Sequence, residues 1–537
     1  MLEAFWIPLL PPYLIGLALS WGIESMLKPQ PVAPWRRPMA ATAVHVGVWT
    51  LAFAVELALF RRPYFGVMNV LGIQLLLVFV SNAKFHVLKE PFVYPDVEYF
   101  LDAIRHPRLY LPFFGIDRAV GIVGGYALAL LAGLTLEDSV TAGAGVWLVS
   151  FREWPGDHLL DPAVPVALFF ACTLAMAAAG GIVANVAGRC VSVAFKAERD
   201  LSHLGMAACL WAYGRSEKRA TTIPRAHAPF LWANPPGTLP DTLPNLISIQ
   251  SESFFDVRRI YPGLVKKDVL QNFDVLKTQA VEHGRLKVPA WGANTVRTEF
   301  GFLSGMDAEA LGVHQFNPYR RLAREGLATI ASYLRSLGYR TICVHPYHRT
   351  FYRRDRVLPQ LGFDEFIGIE GFEGEQGEAA YVGDIALGGK VAKLLQRASA
   401  TAPLYVHAIT MENHGPLHWE KVTASDAACV FKSPMPDDCE DLVAYARHLR
   451  HADSMFGALR QTLASAEQPA SLCIFGDHVP IMPRVYQRLG QVDGATDYVM
   501  WHSWRADRAQ GAVEHQRDVC TLAQAWLKEA GLQTQHR

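Results

Sequence analysis

The first part of the chain alternates long apolar runs with short polar segments. Five of these runs are long enough to cross a bilayer as helices, which takes about 20 apolar residues. They lie near 5–23, 41–60, 64–83, 119–136 and 163–188. Only Arg61, Arg62 and Pro63 separate the second run from the third, so these two should form a tight helical hairpin. We therefore predict an N-terminal bundle of about five transmembrane helices.

The hydrophobic pattern changes after residue 190. Residues 191–243 contain a charged segment and then a proline-rich stretch, which predict a juxtamembrane helix and a linker. From residue 244 onward, short apolar runs alternate with segments of helical periodicity. The predicted division is a transmembrane domain over 1–190, the connecting segment over 191–243 and a catalytic domain over 244–537.

Four short apolar runs in the last part predict buried strands, at 245–250, 341–345, 404–410 and 471–475. Helical periodicity occurs at 322–337, 442–463 and 519–530. Strands that alternate with helices are typical of an α/β domain with a central, mostly parallel sheet and helices on both faces. In such sheets ligands bind beyond the carboxyl ends of the strands.

Composition narrows the class of protein. Hydrophobic residues make up 51% of the chain, which excludes disorder as its main state. Lys and Arg number 50, as do Asp and Glu, so the basic excess of a nucleic-acid binder is absent. Eight cysteines in this length do not form a disulfide framework. Cys429 and Cys439 are close in sequence and form either one disulfide or two free thiols.

Acids and histidines follow each of the four predicted strands. Glu252 follows the first strand, His345 ends the second, His414 follows the third, and Asp477 and His478 follow the fourth. An acid after one strand is usually a helix cap or a turn residue. Four such strand ends at the same edge of a sheet predict an active site.

This set of side chains can bind a divalent metal. We expect Glu252, Asp477 and His478 as ligands, with Thr295 as the fourth ligand and the nucleophile. Oxygen and imidazole donors suit Mn²⁺, which we expect, or Mg²⁺ or Zn²⁺. A bound metal lowers the pKa of a threonine hydroxyl, and a helix that starts at Thr295 would add stabilisation of negative charge.

Three further side chains can act on a phosphoryl group. His345, His414 and Arg354 have the chemistry to hold its oxygens or to protonate a leaving oxygen. A histidine considered alone is more often a structural residue with a partner inside the fold.

The soluble part resembles the lipoteichoic acid synthase and phosphoglycerol transferase branch of the sulfatase/alkaline phosphatase superfamily. The segments that carry the resemblance are 245–254, 292–305, 345–366, 412–416 and 475–480. Five spans followed by a sulfatase-like domain is also that family's layout. By motif, Glu252, Asp477 and His478 match the metal ligands, Thr295 matches the catalytic threonine, and His414 and Arg354 match substrate-binding residues. Tyr352 stands where the family tends to have tryptophan, which leaves the head group open.

The resemblance implies a transfer in two steps. Thr295 attacks the phosphodiester of a phospholipid, with phosphatidylglycerol as the expected donor, and releases diacylglycerol. A hydroxyl of a cell-envelope glycan or polymer then takes the phosphoryl group from the phosphothreonine. The family works on the outer side of the bacterial cytoplasmic membrane, and we expect this placement here. The distribution of Lys and Arg among the loops predicts the opposite, with 190–537 in the cytoplasm.

Other functions remain open at this point. The donor head group could be phosphoethanolamine, and water could replace the acceptor, which would make the protein a phosphodiesterase. A sulfatase acting on sulfate esters is disfavoured, because the Cys-x-Pro-x-Arg or Ser-x-Pro-x-Arg motif is missing near the expected nucleophile. A membrane-anchored binding protein with a degenerate site is disfavoured, because all four expected metal-site residues are present.

Overall fold

A computed structural model describes residues 2–98, 116–141, 163–218, 228–231, 233, 235–323, 327–374, 381–397, 402–505 and 513–533. The chain divides into two compact units, Met1–Thr221 and Thr222–Arg537. Residues 219–227, which belong to the predicted linker, lie outside the described residues.

The first unit is helical. Its helices are α1 (Leu2–Glu24), α2 (Met39–Phe60), α3 (Pro63–Leu88), α4 (Ile116–Leu136), α5 (Ala163–Gly188), α6 (Ala197–Leu204) and α7 (Met206–Lys218). Helices α1 to α5 occupy the five predicted runs. Within the described residues, three helices have the length and hydropathy of membrane spans, at Met39–Phe60, Pro63–Leu88 and Val166–Gly188. The apolar stretches Leu9–Glu24 and Val123–Leu136 are shorter.

Helices α2 and α5 approach each other through glycine. A Cβ atom on Gly47 would lie 2.8 Å from the carbonyl oxygen of Gly180, and one on Gly180 would lie 2.8 Å from that of Gly47. Small residues permit such close backbone contact between membrane helices. The predicted hairpin is also present, since α2 ends at Phe60 and α3 begins at Pro63.

Among its described residues, the second unit is built on a sheet of nine strands. They are β1 (Asn245–Ser251), β2 (Glu282–Lys287), β3 (Arg340–Val344), β4 (Glu365–Ile367), β5 (Leu404–Ile409), β6 (Ala470–Gly476), β7 (Thr496–His502), β8 (Val513–Glu514) and β9 (Arg517–Asp518). The order is β4-β3-β5-β1-β6-β7-β2-β8, and β9 also pairs with β2. Strand β7 runs antiparallel to both β6 and β2, and the other pairs are parallel. The predicted mostly parallel sheet is confirmed.

Helices cover both faces of this sheet. They are α8 (Val257–Ile260), α9 (Gln271–Gln279), α10 (Thr295–Ser304), α11 (Ile330–Ser336), α12 (Arg354–Gln360), α13 (Asp384–Gln396), α14 (Ala424–Val430), α15 (Glu440–Ala464), α16 (Pro483–Leu489) and α17 (Val519–Glu529). Successive side chains of a strand point to opposite faces. Accordingly, Ile247 and Ile249 join one core cluster, with α9 and α15, while Leu246 joins the other, with α10 and α17.

Two expectations from the sequence are corrected. The helix predicted over 322–337 begins at Ile330, because the Thr329 hydroxyl accepts a hydrogen bond from the amide of Ser332 and caps the helix there. The end near Gly338 is as expected, since this residue adopts φ 93°. Cys429 and Cys439 are both free thiols, so the disulfide that the sequence left open is not formed.

Candidate active site

The site lies at the carboxyl edge of four adjacent strands. Strands β3, β5, β1 and β6 are neighbours in that order and all run parallel. Their carboxyl ends therefore meet at one edge. Glu252, His345 and Asp477 follow these ends directly, and His414 lies five residues after the end of β5. The order of strands in the sheet thus brings together residues that are more than 200 positions apart in sequence.

Glu252, Asp477 and His478 form a compact cluster of potential metal ligands. One ligand atom from each lies within 4.8 Å of the others, and all three residues are buried. The Nε2 atom of His478 is 3.4 Å from Oε1 of Glu252 and 3.6 Å from Oδ2 of Asp477. Three donors arranged in this way can coordinate one cation.

The hydrogen bonds around the cluster leave its inner atoms free. Nδ1 of His478 lies 3.1 Å from the carbonyl oxygen of Val479, which places the ring proton on Nδ1 and a lone pair on Nε2. Within the described part of the chain, this Nε2 and Oδ2 of Asp477 are buried without a hydrogen-bond partner. Buried polar atoms are normally paired. A divalent cation bound to them would satisfy both.

Ser253 holds the two carboxylates in place. Its amide donates to Oδ1 of Asp477 at 2.8 Å, and its hydroxyl donates to Oε1 of Glu252 at 3.1 Å. Ser253 adopts φ 54°, in the left-handed region, which turns the chain sharply at the end of β1. Ser253 thereby holds the two carboxylates close together.

This proximity alters the titration of Glu252. Burial, and then the nearby charge of Asp477, raise the pKa of Glu252 to about 8. A bound cation would reverse the effect by favouring the ionised carboxylate. The donor set of two carboxylates, one imidazole and a hydroxyl fits Mn²⁺, Zn²⁺ or Mg²⁺.

Thr295 begins α10, as expected, beside the cluster. Its hydroxyl lies 3.5 Å from Oε2 of Glu252, and the preceding residue, Asn294, adopts the left-handed conformation with φ 67°. One turn further along α10, the Thr298 hydroxyl donates to the carbonyl oxygen of Asp477 at 2.7 Å. This bond joins the start of α10 to the end of β6. The helix N-terminus therefore lies at the cluster, where its partial positive charge stabilises anions.

His414 lies in an aromatic setting next to the cluster. Its Nδ1 atom is 2.8 Å from the carbonyl oxygen of Gly415, so Nε2 carries the lone pair. Tyr381, which the sequence analysis missed, donates its hydroxyl to the same carbonyl at 3.3 Å, and its ring meets the His414 ring edge-on at 5.4 Å. Tyr347 adds a further ring, 6.2 Å from that of Tyr381. No sequence signal identifies Tyr381, because it precedes a helix and not the end of a strand.

His345 has one ring nitrogen, Nε2, that is available to accept a hydrogen bond. Its Nδ1 lies 3.1 Å from the carbonyl oxygen of Ile409, and its Nε2 is buried without a partner among the described residues. Burial, helped by the Arg354 charge, holds the pKa of His345 well below its usual range. His345 is therefore neutral near pH 7 and offers Nε2 as an acceptor.

Arg354 is held by a carboxylate of the fold. Its Nη2 donates to Glu299 at 2.6 Å and its Nε donates to the same carboxylate at 3.3 Å, while the Tyr319 hydroxyl donates to Glu299 at 2.6 Å. Within the described residues, Nη1 of Arg354 is buried and unpaired. The guanidinium also lies 5.3 Å from the ring centre of Tyr352. Glu299 thus fixes Nε and Nη2 of Arg354, and Nη1 remains available to bind a ligand.

Ring contacts connect several of the predicted site residues to one another. The ring of His345 lies 6.2 Å from that of Tyr347, which lies 6.2 Å from that of Tyr381, which in turn contacts His414 at 5.4 Å. Tyr352 joins the group only through its contact with Arg354. The structure therefore contains a cluster of potential metal ligands with a hydroxyl beside it, and a set of imidazole and guanidinium groups suited to phosphoryl oxygens.

Comparison with known proteins gives a family and a fold. A model of the sulfatase family matches residues 244–532, more than half of the chain. The chain is 25% identical over 506 residues to the capsular polysaccharide biosynthesis protein RkpI of Rhizobium meliloti, covering 90% of this chain and 86% of that protein. It is 24% identical over 503 residues to a putative cyclic beta-1,2-glucan modification protein of the same organism, covering 90% and 74%.

One solved structure is similar over nearly the whole chain. This is the integral membrane protein lipooligosaccharide phosphoethanolamine transferase A of Neisseria meningitidis, with a TM-score of 0.54 and 12% identity over 92% of this chain and 88% of that one. At this identity the likeness concerns the fold. It confirms the predicted combination of an N-terminal helical region with a C-terminal α/β domain.

Proposed function

This chain belongs to the sulfatase family, as the resemblance predicted, and on that premise we propose that it is a membrane-anchored, metal-dependent phosphotransferase. We propose that it moves phosphoglycerol from phosphatidylglycerol to a cell-envelope glycan or polyol-phosphate acceptor through a phosphothreonine. The observation that carries the proposal is the position of Thr295, at a helix N-terminus and 3.5 Å from Glu252 in the cluster of potential metal ligands. We assign catalysis to 244–537, membrane anchoring to 1–190 and the connection to 191–243.

Glu252, Asp477, His478 and Thr295 would hold the metal, for which we propose Mn²⁺. A divalent cation bound there supplies positive charge that lowers the pKa of the threonine hydroxyl. The N-terminus of α10 adds backbone N–H groups that stabilise negative charge at the same position. With a cation bound, Thr295 would therefore have two sources of activation that an isolated threonine lacks.

The first step forms a bond between Oγ of Thr295 and the phosphorus of the donor. The bond from phosphorus to the diacylglycerol oxygen breaks, and the proton lost by Thr295 ends on that oxygen. We propose that the unpaired Nη1 of Arg354 holds a phosphoryl oxygen, and that His414 and His345 lie against the head group. In the second step an acceptor hydroxyl attacks the phosphorus, and Thr295 regains its hydroxyl as the bond to phosphorus breaks.

The proposed acceptor draws on the two curated relatives. One is named for capsular polysaccharide biosynthesis and the other for modification of a cyclic glucan, so both names concern glycans of the cell envelope. A lipid donor and a glycan acceptor of this kind meet on the outer side of the cytoplasmic membrane. We therefore propose that the catalytic unit lies outside the cytoplasm, against the loop-charge pattern.

The test uses the full chain, purified in detergent and supplied with Mn²⁺ and phosphatidylglycerol that carries a labelled acyl chain. We expect labelled diacylglycerol from the wild type, none from Thr295→Ala and a reduced rate from Thr295→Ser, which keeps a hydroxyl. Intact-mass measurement should show a phosphoglycerol adduct on the wild type only. Product from phosphatidylethanolamine alone would replace the donor. Absence of product from both lipids, or full activity in Thr295→Ala, would overturn the proposal.

A further inference from the structure

The helical unit contains a cavity that the proposed reaction does not use. Its volume is about 420 Å³, and every lining residue belongs to the unit Met1–Thr221. Protein interiors are close-packed, and voids larger than a water molecule are few. A space of this size is within the range of about 300–1,000 Å³ that is usual for ligand sites.

Three helices each present one face to the cavity. The lining residues recur at i, i+3, i+4 and i+7, which is the spacing of one helical face. In α2 they are His45, Val48, Trp49 and Ala52, and in α3 they are Val70, Ile73, Gln74 and Leu77. Among their polar groups, Nε2 of His45 bonds Ser20 at 2.8 Å and Gln74 donates to the carbonyl of Ser20 at 2.8 Å, while Nδ1 of His45 is buried without a hydrogen-bond partner among the described residues. An apolar ligand therefore suits this part of the cavity.

Helix α7 forms the third wall along its whole length. Its lining residues again follow the helical spacing: Ala207, Leu210, Trp211, Gly214, Arg215 and Lys218. At 1.5 Å per residue this face extends over about 16 Å. Near the start of this face Met206 packs with Leu27 and Val78, and near its end Arg215 bonds Asn185. The apolar faces of α2 and α3 that line the cavity each extend over about 10 Å, which is enough for part of one acyl chain.

The polarity of the α7 face changes from one end to the other. The face is apolar at Ala207 and Leu210 and basic at Arg215 and Lys218. Nη1 of Arg215 donates to the side-chain and main-chain oxygens of Asn185 at 2.6 and 2.7 Å. These partners are neutral, and in the described part of the chain neither Arg215 nor Lys218 forms an ion pair. Two basic side chains that form no ion pair among the described residues therefore stand at one end of the α7 face.

We propose that this cavity binds one acyl chain of an anionic phospholipid, whose phosphate lies against Arg215 and Lys218. The inference rests on the proposed function for the identity of the lipid, which is the class of the phosphoryl donor. A zwitterionic lipid would offer the same chain but would carry no net charge to match the two basic residues. The cavity would then select the donor by its net charge and by its chain.

The test is photo-crosslinking in lipid vesicles with the full chain carrying Thr295→Ala, so that the lipid is not consumed. The vesicles are phosphatidylcholine with a minor fraction of either phosphatidylglycerol or phosphatidylcholine that bears a diazirine on one acyl chain. We expect the phosphatidylglycerol probe to label peptides of α2, α3 and α7. Labelling confined to other helices, or equal labelling of the cavity by both probes, would overturn the inference.

Matched variants distinguish the effect of the two basic side chains from the effect of the cavity's volume. The double variant Arg215→Gln/Lys218→Gln should weaken phosphatidylglycerol labelling about 25-fold, roughly fivefold for each charge near a membrane surface. Arg199→Gln is the control, because this exposed residue of α6 does not line the cavity. Ala52→Phe and Ala207→Phe fill the cavity from two different helices and should each abolish labelling, whereas Ile182→Phe, on an exposed position of α5, should not. Unchanged labelling in the charge variant, or in a cavity-filled variant that melts like the wild type, would refute the proposed site.

Release of diacylglycerol is measured in parallel on chains that keep Thr295. Normal release together with no labelling of the cavity would remove this inference and leave the proposed function intact. Labelling of the cavity by phosphatidylglycerol without any release of diacylglycerol would support the lipid site and overturn the proposed reaction.

Discussion

Glu299 allows a direct test of how the arginine of the site is held. The Glu299 and Arg354 side chains are 0% and 1% exposed, and Glu299 accepts hydrogen bonds from both Arg354 and Tyr319. Glu299→Gln keeps the size of the side chain and an oxygen that can accept from Tyr319. It removes the negative charge and so leaves the buried guanidinium without its counter-ion.

The expected cost follows from this burial. Breaking a buried ion pair by removing one partner destabilises a protein by about 3–5 kcal/mol, because an uncompensated charge stays in the interior. For a unit of this size that corresponds to a fall in melting temperature of about 6–10 °C. Tyr319→Phe removes a single hydrogen bond and should cost only about 1 kcal/mol. Replacing both partners, as in Glu299→Leu/Arg354→Met, should recover most of the lost stability.

The assay is thermal unfolding of the detergent-purified chain, followed by tryptophan fluorescence at fixed protein and detergent concentration. The order expected is wild type and Tyr319→Phe highest, then the double variant, then Glu299→Gln. A Glu299→Gln chain that melts within about 2 °C of the wild type would show that Arg354 does not depend on this carboxylate. The interpretation that Glu299 orients Arg354 for binding the substrate would then be wrong.

Three further predictions concern the metal site and the placement of the catalytic unit. His478→Ala should lose bound metal in plasma mass spectrometry while His414→Ala retains it; equal metal content in both would contradict the ligand assignment. Because burial and Asp477 raise the pKa of Glu252 to about 8, above its unfolded value of 4.5, the folded metal-free chain binds an extra proton between these values. Its stability should therefore fall as the pH rises from about 5 to 8, and both Mn²⁺ and Glu252→Gln should suppress this fall; a flat profile for the metal-free wild type would refute the shift. Cys429 is an exposed free thiol of the second unit, so a membrane-impermeant maleimide should label it in spheroplasts, with Cys429→Ser as the control; labelling only after lysis would put the unit in the cytoplasm.

Many of the helices and strands could be predicted from the local pattern of apolar and polar residues. The apolar runs predicted the helices of the first unit, and the runs near 245, 341, 404 and 471 predicted four strands that form consecutive positions in the sheet. Strands β2, β4, β7, β8 and β9 were missed. The residues of β2 are mostly polar and only alternately buried, so it lacks the continuous apolar run of a central strand. Helix α11 was predicted too long, because a periodic pattern does not show that Thr329 caps the helix.

The candidate site was predictable to the extent that its chemistry follows directly after strands. Glu252, Asp477 and His478 could be grouped from sequence because parallel strands place their carboxyl ends at one edge. The partners that orient the site residues could not be grouped in this way. Tyr381 beside His414 depends on contacts between distant segments. The same is true of the hydrogen bonds that leave Nε2 of His478 and Nη1 of Arg354 unpaired.

The sequence by itself determined which segments are apolar, where the chain turns and which residues carry acid, base and hydroxyl chemistry. These properties depend on each residue and its neighbours within a few positions, since the periods of helix and strand are local. Only the tertiary structure decided that Glu299 pairs with Arg354 and that residues of α2, α3 and α7 line one cavity with basic residues among its lining. The physical reason is that burial and pairing energies depend on which distant side chains meet, and no local pattern encodes that meeting.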